Sequence, residues 1–400
     1  MTVSARAQDP IRLGVLGLGR AFTLMLPTFR ADPRVQLTAA FDPRESANAA
    51  FASELGGRAH SSVESLCADP AVEWLYVATP HQLHAQHVQL AARHGKHVLV
   101  EKPMAISLTD CTRMIDACAA AGTRLIVGHS HSFNAPVLTA RHLIRCGELG
   151  AVRFIHAMQY TDFLYRPRRS EELDTAQGGG VLFSQAAHQV DVVRLLAGGM
   201  ASSVRALTGQ WDSARPTEGA YSALLKFAGG AFASLSYNGY GYYDSDEQMD
   251  GVGELGRPKD AKTHAQTHAR LPKVADQGAE AALKAERNFG GRLYQPAPAE
   301  VPQDCQHFGP VLVSCERGDL RLTPRGVRVF NRQGEHFVAA PIQAVPRAEV
   351  IDELWAVARQ GQAPLHGGAW SRATLEVCLA MLESQRLDTD IILHLQVAAG

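Results

Sequence analysis

The first third of the chain alternates between short apolar stretches and segments with helical character, and this alternation constrains the fold more than any other feature. Apolar stretches rich in β-branched residues predict strands at 11–16, 35–41, 74–78, 98–100 and 125–128, with helices between them. Strands separated by helices of this length form a parallel, doubly wound sheet. Ligands bind such sheets at the carboxyl ends of the strands. The chain is therefore predicted to begin with an α/β domain that has a binding site at that edge.

A glycine turn separates the first predicted strand from a helix predicted over residues 20–30. Gly17 permits a tight turn, and Gly19 lets the backbone approach a pyrophosphate at the amino end of the helix, where N–H groups are unpaired. Phe22 occupies the position of the third glycine of the dinucleotide-binding pattern, so we expect a slightly displaced helix with binding retained. The residues predicted to contact the cofactor here are Gly17, Leu18, Gly19, Arg20 and Ala21.

Two charged residues after the second strand bear on the choice of cofactor. Asp42 lies about twenty residues beyond the glycine turn, where an acidic side chain binds the ribose 2′-hydroxyl of NAD and repels the 2′-phosphate of NADP. Asp42 is also suited to cap the helix that follows, and the two roles are compatible. Arg44 could accommodate a 2′-phosphate. NAD is therefore the predicted cofactor, and NADP is the alternative.

The strand over 98–100 delivers a lysine to the sheet edge at which ligands bind. Pro103 disfavours a helical backbone at Lys102, so the amine lies on a stiff, extended segment. A partly desolvated lysine in such a place can transfer a proton near neutral pH. A surface lysine after a strand end is the alternative. The other residues predicted to line the cofactor site at these strand ends are Thr79, Pro80, His84 and Glu101.

From residue 151 onward, alternating and aromatic-rich stretches predict a mostly antiparallel sheet. The strands are predicted at 152–160, 203–211, 220–227, 231–237, 310–315, 319–323, 326–330 and 335–340, and closing helices at 347–360 and 371–386. The segment 239–306 is polar and has one predicted helix, at 277–288. We interpret it as an insertion that forms a solvated or disordered arm, with a lid or an interface arm as alternatives. Two domains are predicted, at 1–130 and 131–400.

Three consecutive glycines at 178–180 precede a helix that carries polar side chains on one face. Ser184, His188 and Asp191 recur at i, i+4 and i+7 of a helix predicted from Leu182 onward. An aspartate beside a histidine fixes its tautomer and raises its basicity, as a general base requires. The alternative is a histidine that is satisfied within the core.

Composition argues against several function classes. The net charge of −1 does not favour binding to nucleic acid or to an anionic membrane surface, and no apolar run is long enough to span a bilayer. Seven scattered cysteines without paired spacing predict reduced thiols in the cytoplasm. A run of histidines has no carboxylate or cysteine at ligand spacing, so we expect mostly exposed or capping side chains and no metal site. These histidines are His81, His84, His87, His94 and His97.

Taken together, these motifs resemble the Gfo/Idh/MocA oxidoreductases, the family of glucose–fructose oxidoreductase and inositol dehydrogenase. The resemblance extends from about residue 10 to 390 and rests on Gly17-x-Gly19, Asp42, Thr79-Pro80 with His84, Glu101-Lys102-Pro103, and the triple-glycine helix with His188 and Asp191. It implies a Rossmann domain that binds a nicotinamide cofactor. It also implies a C-terminal α/β domain with a large open sheet, through which subunits associate as dimers or tetramers. In the family pattern, Lys102 and His188 flank the substrate carbinol.

One departure from the family pattern bears on the substrate. Ser184 stands where the family often has aspartate, and a less anionic site suits a negatively charged substrate. Arginine is suited to paired hydrogen bonding with a carboxylate. The nearby arginines are Arg153, Arg166, Arg168 and Arg169, and we expect at least one of these four to be solvated. The residues predicted to contact the substrate are Tyr160, Arg166, Arg168, Ser184 and His188.

Within the family, the chain most resembles the bacterial cis-dihydrodiol dehydrogenases of aromatic-acid degradation, on the passage 17–24, Ser184 and the insertion. This resemblance implies NAD-dependent oxidation of a carboxylated cyclohexadiene cis-diol such as phthalate 4,5-cis-dihydrodiol. His188, held by Asp191, would remove the hydroxyl proton, and Lys102 would stabilise the alkoxide; either could be the formal base. A sugar or inositol dehydrogenase is the first alternative, and a non-catalytic nicotinamide-sensing regulator is the second.

Overall fold

The computed structural model describes residues 9–128, 130–271, 274–296, 302–345 and 347–400, without the side chains of 261–265. The chain forms two compact units. The first comprises residues within 1–129, 282–300 and 347–372, and the second comprises residues within 130–281, 301–346 and 373–400. In the described residues, no helix is both long enough and apolar enough to cross a membrane.

The described part of the first unit contains a six-stranded sheet in which every pair of neighbouring strands is parallel. Its strands are β1 (Ile11–Leu16), β2 (Val35–Phe41), β3 (Arg58–Ala59), β4 (Trp74–Val77), β5 (His97–Val100) and β6 (Leu125–Val127). Their order across the sheet is β3-β2-β1-β4-β5-β6. The predicted doubly wound parallel sheet is therefore confirmed.

The helices of this part of the chain connect successive strands. They are α1 (Arg20–Ala31), α2 (Glu45–Leu55), α3 (Val63–Ala68), α4 (His84–Arg93) and α5 (Leu108–Ala120). Side chains that satisfy backbone groups define some of their ends: Ser62 begins α3, and Ser107 accepts a hydrogen bond from the Asp110 amide at the start of α5. The central strands are apolar because both faces of the sheet are buried, and β4 is buried along its full length.

The second unit contains, in its described residues, a nine-stranded sheet in the order β14-β13-β12-β11-β7-β10-β9-β8-β15. Its strands are β7 (Val152–Tyr160), β8 (Ala201–Gly209), β9 (Ala220–Phe227), β10 (Phe232–Asn238), β11 (Val311–Cys315), β12 (Gly318–Thr323), β13 (Gly326–Asn331), β14 (Gly334–Ala339) and β15 (Ile391–Ile392). The pairing is antiparallel except between β7 and β10, which run parallel. The predicted open, mostly antiparallel sheet is confirmed.

The remaining helices are α6 (Ala135–Arg145), α7 (Ala187–Leu196), α8 (Ala261–Arg270), α9 (Gln277–Glu286), α10 (Ala348–Arg359) and α11 (Gly368–Leu387). Helices α6 and α7 contact strands of the nine-stranded sheet. We call the opposite side of this sheet the open face, because its alternate side chains are exposed. It carries the large apolar residues Leu207, Leu224, Phe232, Leu312 and Phe337, each between 44% and 59% exposed.

The insertion differs from the solvated arm that the sequence predicts. Two helices, α8 and α9, lie in its described residues where one was predicted, and Glu280 of α9 forms a buried ion pair with Arg215 at 2.8 Å. Phe289 is fully buried in the first unit. The expectation of a solvated or disordered arm is therefore wrong for these residues, because partners distant in sequence bury them. Residues 272–273 and 297–301 of the insertion lie outside the described residues.

Two of the histidines predicted to be mostly exposed or capping are in fact buried. His84 is fully buried and His87 is 6% exposed, while His81, His94 and His97 are partly exposed. Both buried rings lie on the face of α4 that packs within the first unit, and both contact polar groups there. The prediction is wrong for His84 and His87, because a polar residue type does not by itself indicate exposure.

Candidate active site

The turn between β1 and α1 provides an open backbone surface at the amino end of a helix. Gly17 has φ +95°, and a Cβ atom there would lie 2.8 Å from the Ala78 carbonyl oxygen, so both conformation and space require glycine. A Cβ at Gly19 would meet no heavy atom within 4 Å in the described structure. Open space beside the glycine that begins a helix is what a pyrophosphate group needs. The residues present therefore fit a dinucleotide.

The carboxylate of Asp42 binds the same turn from the end of β2. One of its oxygens, Oδ2, accepts a hydrogen bond from the Leu18 amide at 2.7 Å. The other, Oδ1, accepts from the backbone amide and from Nε of Arg44, at 2.9 and 3.0 Å. Nη2 of Arg44 also donates to the Leu18 carbonyl at 2.9 Å. Asp42 and Arg44 therefore form an ion pair that is bonded to the backbone of the glycine turn.

A buried histidine joins the ends of β4 and β5. Nε2 of His84 lies 2.9 Å from the Thr79 carbonyl oxygen, and Nδ1 lies 3.0 Å from the Pro103 carbonyl oxygen. Burial lowers the pKa of this ring, against the effect of its bonds to these carbonyls, which raise it. The contacts hold the backbone next to Lys102, whose peptide bond to Pro103 is cis. His84 therefore positions the lysine-bearing segment.

Two more contacts fix these strand ends. The Tyr76 hydroxyl donates to Oε1 of Glu101 at 2.5 Å, and burial followed by the nearby Glu101 charge raises the pKa of Tyr76. Thr79 Oγ1 lies 3.0 Å from Nδ1 of His87, whose pKa burial lowers to about 4. His87 is therefore neutral near physiological pH, and Thr79 is contacted by both buried histidines, through its hydroxyl by His87 and through its carbonyl by His84.

In the second unit, the helix that follows the glycines is not α-helical at its start. Residues Leu182–Ala186 form a π-helix, and α7 follows directly. This corrects the expectation of a regular α-helix from Leu182 and changes the phase of Ser184 relative to His188. The Ser184 hydroxyl donates to the Gly180 carbonyl. Single π-helical turns occur frequently at functional sites, where they re-aim side chains.

Two glycines that precede the π-helix, Gly179 and Gly180, lie close to other backbone and to a carboxylate. A Cβ at Gly179 would lie 2.7 Å from the Glu171 carbonyl oxygen. At Gly180, with φ +80°, it would lie 2.1 Å from Oε1 of Glu218. Glu218 accepts hydrogen bonds from Thr175 and Thr217, and burial raises its pKa. Glycine is therefore required at both positions.

His188 lies in a buried aromatic cluster at the start of α7. Its ring is 4.7 Å from that of His131 and 5.1 Å from that of Phe308, measured between centroids, and the residue is 5% exposed. Nδ1 of His131 accepts a hydrogen bond from Nδ2 of Asn134 at 2.8 Å, and its Nε2 lies 3.4 Å from Oε1 of Glu254. Glu254 comes from the insertion. His131 thus contacts both the imidazole of His188 and the carboxylate of Glu254.

Asp191 is held by hydroxyl groups of other elements. Its Oδ2 accepts from Ser132 Oγ, and its Oδ1 accepts from Thr374 Oγ1 at 2.7 Å. Thr374 also accepts from Nη1 of the fully buried Arg194 at 2.8 Å. The Asp191 carboxylate therefore belongs to a buried polar network that includes Ser132, Thr374 and Arg194. Its role toward His188 stays a prediction.

The predicted substrate-binding arginines differ in their surroundings. Arg166 is 42% exposed in its side chain and donates to Asp162 Oδ1 and Thr161 Oγ1, each at 2.9 Å. Glu254 lies 3.9 Å from its Nη1. Burial lowers the pKa of Arg166, but the charges of Asp162 and Glu254 outweigh burial and raise it.

Arg168 is largely enclosed by protein. Its guanidinium lies 3.6 Å above the Phe163 ring and donates to the Phe163 carbonyl at 2.6 Å, while burial lowers its pKa to about 10.

The other nearby arginines form ion pairs with glutamates. Arg169 pairs with Glu171 at 2.9 Å, and Arg153 pairs with Glu316 on the surface. Tyr160, at the end of β7, packs near Tyr243 with centroids 6.1 Å apart. Of the two arginines predicted to bind substrate, Arg166 therefore has the more exposed side chain.

Sequence reasoning did not find His131, Phe308 or Glu254. His131 follows the carboxyl end of β6, just as Lys102 follows the carboxyl end of β5. Its position after a predicted strand could therefore have marked it as a candidate site residue. Glu254 and Phe308 carry no local signal, because only the fold brings them to α7. Among the described residues, no group of three or more His, Cys, Asp or Glu side chains could hold a metal ion.

Comparison with known proteins identifies the family. Residues 11–129 match the model of the oxidoreductase family with an NAD-binding Rossmann fold, and residues 137–281 match the GFO/IDH/MocA C-terminal domain. The chain is 48% identical over 375 residues to 1-carboxy-3-chloro-3,4-dihydroxycyclohexa-1,5-diene dehydrogenase of Comamonas testosteroni, covering 93% of this chain and 94% of that protein. This chain belongs to the Gfo/Idh/MocA oxidoreductase family. It is an NAD-binding dehydrogenase, as the sequence resemblance implied.

Solved structures agree with this assignment of the Gfo/Idh/MocA enzyme. A presumed dehydrogenase from Bordetella bronchiseptica RB50 superposes with a TM-score of 0.90 at 38% identity, covering 96% of this chain and 100% of that one. The WlbA dehydrogenase from Bordetella pertussis, solved with NADH and UDP-GlcNAcA, gives 0.71 at 21% identity, with 97% and 98% covered. At this lower identity the likeness establishes a shared fold.

Proposed function

We propose that the enzyme oxidises a carboxylated cyclohexadiene cis-diol of the phthalate 4,5-cis-dihydrodiol type to the dihydroxy aromatic acid, here 4,5-dihydroxyphthalate. The observation that carries the proposal is the 48% identity, over 93% of the chain, to a dehydrogenase whose name specifies one carboxyl group, one chlorine and two hydroxyls on a cyclohexadiene ring. Oxidation of one carbinol yields a hydroxyketone that tautomerises to a catechol. Aromatisation makes oxidation the favoured direction.

The proposed mechanism divides proton handling between two side chains. The glycine turn, Asp42 and the ends of β4 and β5 would hold NAD, which would supply the hydride acceptor. His188 takes the hydroxyl proton as the carbinol C–H is lost as hydride, and the oxygen becomes a carbonyl. Lys102 donates a hydrogen bond to the developing alkoxide. Either side chain could be the formal base.

The environment of His188 supports a role as base. Its ring is buried against His131, and His131 is near the carboxylate of Glu254. A carboxylate favours positive charge on a nearby imidazole, so this cluster can help to hold a proton after it has been taken up. His131 and Glu254 are therefore proposed as positioning residues for His188.

A panel of alcohols tests the proposed function. The carboxylated cis-diol, the same diol without carboxyl groups, myo-inositol and glucose are each offered with NAD and with NADP, and the absorbance of reduced nicotinamide is followed. The proposal predicts the highest kcat/KM for the carboxylated diol with NAD. Preference for inositol or glucose would instead identify a polyol dehydrogenase. No reduction with any alcohol, despite NAD binding, would identify a sensor.

Arg166 is proposed to bind the substrate carboxylate. It is the more exposed of the candidate arginines and retains donors on a guanidinium held in place by Asp162 and Thr161. The local charge is balanced by Asp162 and Glu254, so recognition would depend on paired hydrogen bonds more than on a long-range field. Arg168 would support this segment from its stacked position on Phe163.

Substitution of Arg166 by glutamine is expected to raise KM for the carboxylated diol about tenfold or more, with a smaller effect on kcat, because binding energy common to ground and transition states is lost. Steady-state kinetics on the carboxylated and uncarboxylated diols measure this. Arg153→Gln is the matched control, since Arg153 pairs with Glu316 on the surface. Equal changes of KM for both diols would contradict the proposal.

The open face of the nine-stranded sheet is proposed to bind a second copy of the chain. The strand registers from β8 to β14 place its five large apolar side chains on the same face of the sheet. Exposed apolar patches of this kind mark interfaces. The Phe232→Glu variant is expected to shift the mass in sedimentation equilibrium from dimer or tetramer to monomer. A wild-type chain that sediments as a monomer would rule the interface out.

A cytoplasmic location is proposed on two grounds. The enzyme's cofactor is NAD, and its seven cysteines are scattered without the paired spacing of a disulfide framework.

A further inference from the structure

A short segment of the insertion packs against the glycine turn in the first unit. We call residues 288–294 the strap. At its centre, Phe289 is fully buried, with its ring edge-on to Phe22 at 5.3 Å and to Tyr294 at 5.5 Å between centroids. Phe22 also packs near Phe29 and Phe51. The aromatic residue that replaces the third glycine of the dinucleotide pattern thus has a partner from the insertion.

The backbone amide and carbonyl of Phe289 are both hydrogen-bonded, the amide to a side chain of α1 and the carbonyl to an arginine that follows β2. The amide donates to Thr23 Oγ1 at 3.0 Å, and that hydroxyl donates to the Gly19 carbonyl at 2.9 Å. The carbonyl accepts from Nη1 of Arg44 at 3.2 Å. Phe289 therefore connects Thr23, at the start of α1, with Arg44, which follows the predicted ribose-binding residue Asp42.

Close packing fixes the strap in this position. Gly290 has φ +75°, and a Cβ atom there would lie 2.5 Å from Cα of Ala47 on α2. Ala47 is itself fully buried. The strap can approach α2 only because Gly290 lacks a side chain.

Arg44 is committed to acceptors within the protein. Its guanidinium donates to Asp42, to the Leu18 carbonyl and to the Phe289 carbonyl. A guanidinium beside the ribose is the group that would bind the 2′-phosphate of NADP. While the strap is in place, a 2′-phosphate would have to compete with these bonds and with the charge of Asp42.

We propose that the strap is a determinant of cofactor specificity: by holding Arg44 against Asp42 and the glycine turn, it denies the guanidinium to a 2′-phosphate and favours NAD over NADP. The proposal rests on the proposed site of Asp42 at the ribose and is independent of the diol substrate. The strap lies far from the predicted dinucleotide-binding residues in sequence, yet in this proposal it helps to determine whether NAD or NADP binds.

Equilibrium binding of NAD and NADP to the full chain without substrate, measured by isothermal titration calorimetry, tests the proposal. Gly290→Ala is expected to displace the strap and lower the ratio of the NADP to the NAD dissociation constant about tenfold, the size of one charge-assisted hydrogen bond. Gly278→Ala is the matched control, because Gly278 is exposed in the same insertion and an added Cβ would meet only the Asp276 side chain, at 3.3 Å. Its ratio should equal that of the wild type.

Two further variants separate the outcomes. Thr23→Val removes the hydroxyl that binds the Phe289 amide with little change of volume, and should shift the ratio in the same direction even if Gly290→Ala fails to fold. Adding Arg44→Gln to either variant should abolish the gain in NADP affinity. Equal weakening of both cofactors, or a gain that persists without Arg44, would overturn the proposal. Because no diol is present, a wrong substrate assignment cannot produce either result.

Discussion

Replacement of Lys102 by alanine is expected to lower kcat by a factor of about 10² or more, the usual scale for the loss of an acid–base group. The lysine follows β5 at the carboxyl edge of the parallel sheet, and His84 holds the adjacent Pro103 carbonyl. Its amine is proposed to stabilise charge that develops only in the transition state, so kcat and kcat/KM should fall together. Steady-state kinetics with the carboxylated diol and NAD measure the change.

The surface residue Arg386 provides the control for this substitution. It is 66% exposed in its side chain and pairs with Glu383 on the same helix, so Arg386→Ala should leave kcat unchanged. Calorimetric titration with NAD shows whether the Lys102 variant still binds its cofactor. Near-normal turnover in that variant, with NAD bound, would remove Lys102 from the mechanism.

Replacement of His188 by asparagine is expected to lower kcat by a similar factor of about 10², because an amide cannot take up the hydroxyl proton. The ring contacts His131 and Phe308, and asparagine keeps polar character in that buried space. If both side chains act on one proton transfer, the Lys102→Ala and His188→Asn double variant should lose much less than the product of the two single effects. The double variant is measured in the same assay.

His394 is a suitable control for the histidine substitution. It is exposed, and its structural contact is made by its backbone amide, which binds Glu376. His394→Asn should retain full turnover and wild-type stability in thermal denaturation. Should the His188 variant turn over normally while folded, the imidazole would be a structural member of the aromatic cluster.

The sequence predicts the sheets well because strand signals are local. The bounds of β1, β2, β7 and β9 agree with the prediction residue by residue, since each is an uninterrupted apolar or alternating run between turn residues. The glycine at 17 likewise carries a backbone requirement that can be predicted without a structure.

Features that depend on distant partners could not be predicted. Nothing near Phe289 or Glu254 in sequence shows that one is buried beside Phe22 and the other lies near His131. The π-helix at Leu182–Ala186 has no local sequence signal, and the glycine shortly before it, Gly180, lies against Glu218, which is distant in the chain. Phe22 offered a partial clue, because a large aromatic in place of glycine needs neighbours to bury it.

The first unit is assembled from three separate stretches of chain, and the last of them is made late in synthesis. Arg359 of α10 forms a bidentate pair with Glu73, Asp352 bonds to Arg34, and the His366 carbonyl accepts from the Val127 amide at the edge strand β6. During synthesis, these contacts can form only after most of the chain has been made. We therefore expect the packing of the early βα repeats to be completed only when α10 becomes available.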